Sequence, residues 1–155
     1  MNKEISLEMI VPEKCGKSTT FVTGRFRELL DIYSIHYEED GFNPPWTGYF
    51  VVRRDRVVGS CGFIGKPKNG EVEIAFWTFS RHQGEGVATE ACRQMVDIVS
   101  KADSSTVIIA TTASDRDASA KVLEKNGFVI KGVASNENVL WKLVRPMEYG
   151  VYDEF

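Results

Sequence analysis

Apolar residues along this chain recur with a helical period in some stretches and a strand period in others, and the switches between the two predict its elements. From about Thr20 to Tyr37, Phe26, Leu29, Leu30 and Tyr33 stand at helical spacing among Arg25, Arg27, Glu28 and Asp31, which predicts an amphipathic helix. The acidic stretch Glu38-Glu39-Asp40, running on to Gly41 and Pro44-Pro45, reads as a loop. Tyr49–Val52 and Val57–Ile64 form a hairpin about Arg53–Arg56; Asn69-Gly70 supplies a second turn, and Glu71–Phe79 a third antiparallel strand. After Gly84-Glu85-Gly86, the residues Ala88, Ala91, Cys92, Met95, Val96 and Val99 form one stripe of a long helix.

Val107–Ala110 is a short continuous apolar run, as a strand buried on both faces requires. A further helix starts at a Ser114 cap with Asp117 three residues on, and stops at Asn126-Gly127. Phe128–Ile130 and Val139–Val144 close the series as strands. The order helix, three-strand meander, helix, strand, helix, two strands predicts an α/β fold, with helices packed on a mixed sheet.

Composition narrows the class without naming it. A chain of 155 residues, 43% hydrophobic and 26% charged, without repeats or a low-complexity linker, reads as one globular domain over residues 1–155. Met1–Ile5 begins no signal-like apolar segment, and no apolar run is long enough to span a bilayer, so a cytoplasmic protein with no membrane partner is expected. Net charge is −3 without a basic tract, which argues against nucleic acid. Cys15, Cys61 and Cys92 are odd in number and lack metal-ligand spacing; Cys61 and Cys92 fall on apolar positions and read as reduced core thiols. His36 and His82 have no partner at metal spacing, so no metal is expected.

The most informative segment is Gln83-Gly84-Glu85-Gly86-Val87-Ala88-Thr89, between a strand and a helix. Its glycines allow a tight turn with successive N–H groups aimed outward at the helix's positive end, which suits a pyrophosphate. The same pair also fits a plain strand-to-helix turn, and it is neither a Walker A loop nor a full Gly-x-Gly-x-x-Gly.

Gln83–Ala88 resembles the Gln/Arg-x-x-Gly-x-Gly/Ala signature of the GNAT acetyltransferase superfamily, and Ala118–Phe128 resembles a second stretch of that family. Gly59–Phe63 and Glu71–Ile74 fit the strands before the signature, so the likeness covers roughly residues 49 to 133. It is closest in character to the bacterial ribosomal-protein N-terminal acetyltransferase (Rim-type) branch. The resemblance implies a GNAT-like fold whose third meander strand splays from the strand Val107–Ala110. Pantetheine of acetyl-CoA would lie in that gap against backbone near Thr78 and Phe79. Gln83, Gly84, Glu85, Gly86, Val87, Ala88 and Thr89 would hold the pyrophosphate. Ser119 stands where the resembled branch has a serine near the thioester sulfur, an acid for the departing thiolate or else a plain helix-surface residue. Arg116 stands where the family has an asparagine, Ser80 where it has a proline, and Leu123 where many members have a tyrosine acid.

Glu73 is the candidate base. Strand alternation sets Glu71, Glu73, Ala75, Trp77 and Phe79 on one face, so burial and the neighbouring Glu71 carboxylate are both expected to raise its pKa. The alternative is an edge carboxylate pointing into solvent. On the acceptor side, Glu38 and Trp46 come from the acidic loop, and Trp77 from the strand; carboxylates beside aromatics suit an amine, a protein N-terminus or a small molecule. Bulky Trp77 and Phe79 favour a small acyl group. The expected activity is therefore direct N-acetyl transfer from acetyl-CoA to a primary amine by a monomer or homodimer. A catalytically impaired acyl-CoA-binding or sensing module is the alternative, favoured by Arg116 and the missing tyrosine.

Overall fold

The computed structural model describes residues 4–12, 24–78 and 83–143; Cys15, Phe79, Ser80 and His82 lie outside them. Ten elements run in the order β1 (Ile5–Met9), α1 (Gly24–Asp40), β2 (Gly48–Arg53), β3 (Arg56–Phe63), β4 (Glu71–Thr78), α2 (Val87–Ala102), β5 (Val107–Thr112), α3 (Ala118–Lys125), β6 (Val129–Val133) and β7 (Val139–Leu143). The strands form one sheet in the order β1-β2-β3-β4-β5-β7-β6. All pairs are antiparallel except β4 with β5.

Local chemistry accounts for the meander. Arg54 and Asp55 both take positive φ (52° and 64°) in a two-residue turn that keeps Arg53 opposite Arg56. Asn69 and Gly70 do the same (53° and 78°) before β4. Such turns match the right-handed twist of the strands they join.

Two readings need correcting. β1 was not among the expected strands; its alternation of Ile5, Leu7 and Met9 is only five residues long, and it gains its place by pairing with β2. The acidic run Glu38–Asp40 is the last turn of α1 rather than a loop. The helix stops one residue later, where Gly41 (φ 88°) takes the left-handed position and its N–H meets the Tyr37 carbonyl at 2.9 Å.

Alternation divides the core. Tyr49, Val51, Cys61, Phe63, Val72, Ile74, Ile108 and Ala110 pack with Val87, Ala91, Met95 and Val99 of α2 and Ala120 and Leu123 of α3. Phe50 faces the other way, with Leu30 and Tyr37 of α1 and with Ile10. Helix α1 is pinned there by the Tyr37 hydroxyl, which donates to the Ile10 carbonyl (2.7 Å) and accepts from the Gly48 N–H (3.2 Å).

Tyr33, one turn earlier, lies so close on β2 that a Cβ at Gly48 would fall 2.3 Å from its ring. Gly48→Ala is therefore expected to destabilise the fold by about 1–3 kcal/mol, by overpacking this contact. Urea unfolding of the variant against the wild type measures it.

Candidate active site

The site begins where a ladder stops. β4 and β5 pair only through Glu71–Val107, Val72–Ile108 and Glu73–Ile109. Beyond Glu73, β4 stays with β3 as far as Thr78, and beyond Ile109, β5 stays with β7 as far as Thr112. The strands therefore fork, and their facing edges lose each other as hydrogen-bond partners. A cavity of about 160 Å³ fills the fork, lined by Glu73, Ala75, Phe76, Thr111, Ser119 and Leu123 among others.

A larger groove of about 300 Å³ adjoins it, sharing Phe76 and Ser119. Its far wall is the segment picked out from the sequence: Gln83, Gly84, Gly86, Val87, Ala88 and Thr89. Gly84 (φ 82°) and Gly86 (φ 81°) take left-handed backbone, and a Cβ on either would project into open space. Gly86 caps α2 without a side-chain bond, and the first helical bond runs from the Glu90 N–H to the Gly86 carbonyl (3.1 Å). The N–H groups of Val87, Ala88 and Thr89 thus have no acceptor within the helix, at its positive end. That end can hold an anionic group.

The Glu85 carboxylate pairs with Arg53 of β2, and Glu85 is not among the residues that line the groove. Arg116 is 92% exposed beside Asp115 and lines neither cavity.

Helix α3 presents Ser119 to the fork. Asp117 is its cap, accepting from the Ala120 N–H at 2.8 Å, so the expected Ser114 cap is displaced by three residues. The Ser114 hydroxyl instead accepts from the Arg116 N–H (3.2 Å), and its carbonyl accepts from Thr112 Oγ1 (2.7 Å). Trp141 Nε1 donates to the same Thr112 oxygen at 2.9 Å, which fixes the β5–α3 connection. Asn126 Nδ2 reaches from the end of α3 to the Thr89 carbonyl (3.2 Å), coupling α3 to the first turn of α2. Leu123 is fully buried, with no hydroxyl to serve as an acid.

Glu73 is the last paired residue before the fork, and burial raises its carboxyl above the usual carboxylate range. The expected like-charge contribution from Glu71 is absent, because Lys142 Nζ holds the Glu71 carboxylate at 2.7 Å. Trp77 and Thr78 end β4, opposite Ser60 and Gly59. Glu38 stands exposed on α1. Trp46 packs edge-on against Phe63 (centroids 5.2 Å apart), on the sheet face opposite Glu73, since Phe63 is paired with Ile74. Neither Glu38 nor Trp46 lines the two cavities. Spacing places Tyr33 among the apolar positions of the first helix; its slot depends on the pairing of Gly48 with Gly62, which residue spacing does not reveal.

Comparison with known proteins agrees with this geometry. Residues 12–129 match the acetyltransferase (GNAT) domain family, and the chain belongs to that family. Over 88 residues it is 33% identical to the uncharacterized N-acetyltransferase YjdG of Bacillus subtilis (strain 168), covering 55% of this chain and 52% of that one. Over 85 residues it is 24% identical to the ribosomal-protein-serine acetyltransferase of Escherichia coli (strain K12), covering 54% and 48%. The chain thus spans about half the length of these relatives.

Among solved structures, the ribosomal-protein-S5-alanine acetyltransferase from Vibrio fischeri shares the fold with a TM-score of 0.66 at 18% identity (94% and 96% of the two chains). A chimera of the Vibrio cholerae spermidine N-acetyltransferase SpeG with hSSAT gives 0.70 at 14% (95% and 99%). The microcin C7 self-immunity acetyltransferase MccE, solved with acetyl-CoA and AMP, gives 0.66 at 16% (92% and 93%).

Cys61 of β3 and Cys92 of α2 are fully buried, and burial pushes the Cys92 thiol up to about 12 and Cys61 higher still. Neither can act as an acyl-carrying thiolate. Both are expected to resist iodoacetamide in the native protein at mildly alkaline pH and to alkylate fully in denaturant, as peptide mass spectrometry would read.

Proposed function

We propose that the chain is an N-acetyltransferase that moves the acetyl group of acetyl-CoA directly to a primary amine. The observation that carries this reading is the fork itself: two adjoining cavities that share Phe76 and Ser119 bring together an open helix N-terminus, an unpaired strand edge and a carboxyl group raised by burial. The residues present fit acetyl-CoA. The Gly84–Thr89 segment supplies N–H donors for the pyrophosphate. The β4 edge from Ala75 to Thr78 supplies backbone groups for the pantetheine amides and the thioester carbonyl.

Glu73 takes the proton that the amine must lose to attack, directly or through one water. Its pKa, raised by burial, makes it a stronger base than an ordinary carboxylate. Ser119, shared by both cavities, is the hydroxyl available to protonate the departing sulfur. The ammonium proton that Glu73 takes passes on to solvent, and the second N–H proton, lost as the amide forms, replaces the one that Ser119 gives to sulfur.

A binding module that has lost transfer gains no support from Arg116, which stands in solvent, but it retains the absence of a tyrosine acid. The names of the fold neighbours include a ribosomal-protein alanine and spermidine as acceptors, which supports a primary amine as the acceptor class.

Glu73→Gln decides between the readings. It is expected to lower kcat about 100- to 1,000-fold while acetyl-CoA affinity is unchanged. Wild-type kcat/KM should fall on the acid side with an apparent pKa above the ordinary 4.5, a limb missing from the variant. Stability moves oppositely. A folded-state pKa raised by burial favours the fold at low pH and loses that advantage as pH rises through it. The melting temperature of Glu73→Gln relative to wild type should therefore increase from acid pH to neutrality.

A further inference from the structure

Beside Glu73, the sheet face under α1 carries an unexplained hydroxyl. Gly48, Gly62 and Ala75 form one row across β2, β3 and β4. The two glycines make a slot in which the Tyr33 ring lies close against the backbone of β2. A Cβ at Gly62 would come 3.2 Å from the Tyr33 oxygen. The ring thus sits over Gly48 and its hydroxyl over Gly62, directed toward β4. Among the described residues that hydroxyl makes no hydrogen bond, although Tyr37, one turn on in the same helix, makes two. Burial raises its pKa, so the phenol stays a proton donor. On the same face, the Ser60 hydroxyl is fully buried and likewise without a partner.

Spacing relates Tyr33 to Glu73. Ala75 is one strand beyond Gly62, about 4.8 Å, and Glu73 is two residues along β4 from Ala75, about 6.6 Å. The hydroxyl and the base therefore stand over points about 8 Å apart. An amine nitrogen and the carbonyl oxygen next to it are separated by about 3 Å, and a hydrogen bond at each end adds about 2.9 Å, which spans that gap. A polyamine would place methylenes against Tyr33, and Glu73 is the only carboxylate lining the fork among the described residues.

We propose that the Tyr33 hydroxyl donates a hydrogen bond to the carbonyl adjacent to the reacting amine, so that the site selects the α-amine of an amino acid or peptide over alkylamines and polyamines. This rests on the acetyl-transfer reading above. Glu73 engages the nitrogen and Tyr33 the carbonyl, which fixes the rotation of the acceptor about its N–Cα bond.

The test is steady-state acetylation by wild type and Tyr33→Phe with two acceptors, alaninamide and isopropylamine, the second having a methyl in place of the carboxamide. Phenylalanine keeps the ring in its slot, so melting temperature and acetyl-CoA affinity are expected to hold. The variant should lose about tenfold in kcat/KM for alaninamide, mainly through KM, with a change below about twofold for isopropylamine. An equal loss with both amines, or none with either, overturns the role of Tyr33 and leaves the transferase reading standing. A wild type that acetylates neither amine overturns that reading, and the inference with it.

Discussion

Backbone groups inside a sheet are nearly always paired, because a buried amide left without a partner forfeits about 1–3 kcal/mol. The divergence of β4 and β5 after the Glu73–Ile109 pair runs against that economy, and the site follows from it. Each strand is held on its outer side, β4 by β3 and β5 by β7, so neither can turn inward to close the gap. The inner edges are left to solvent or to an extended ligand that offers amides in their place. A chain with alternating amide groups, such as pantetheine, meets that requirement.

The sheet also separates the chemical duties by face. Helices α2 and α3 pack on one side, bringing the open helix N-terminus, Ser119 and the Asn126–Thr89 bond together around the groove. Helix α1 packs on the other, which carries Glu73, Ala75 and the Gly48–Gly62 slot. An anionic co-substrate and an amine would therefore approach from opposite sides and meet at the fork. Lys142 pairs with Glu71, and burial is what raises the Glu73 carboxyl.

Much of this was legible in the residues. The meander, the turns at Arg54-Asp55 and Asn69-Gly70, the stripe of α2 and the Gly84–Thr89 loop are local features, and local patterns carry them. The five-residue strand β1 was not legible, since its alternation is too short to stand out and its formation depends on β2. The acidic residues suggest a loop, whereas α1 runs on through them and ends where Gly41 takes positive φ. Glu73 could be named from strand alternation, but the partner of Glu71 could not, because Lys142 lies 71 positions away. Tyr33 over two glycines is likewise a contact between distant segments.

If the forked strands and the Gly84–Thr89 loop hold acetyl-CoA, calorimetric titration of the purified protein, with Gly86→Glu alongside, will register it. Gly86 lines the groove with left-handed backbone, so a glutamate there brings strain of about 1–2 kcal/mol and a carboxylate where the pyrophosphate would lie. Micromolar binding is expected for the wild type and none for a variant that still melts cooperatively. No binding by the wild type, or equal binding by the two, would contradict that reading.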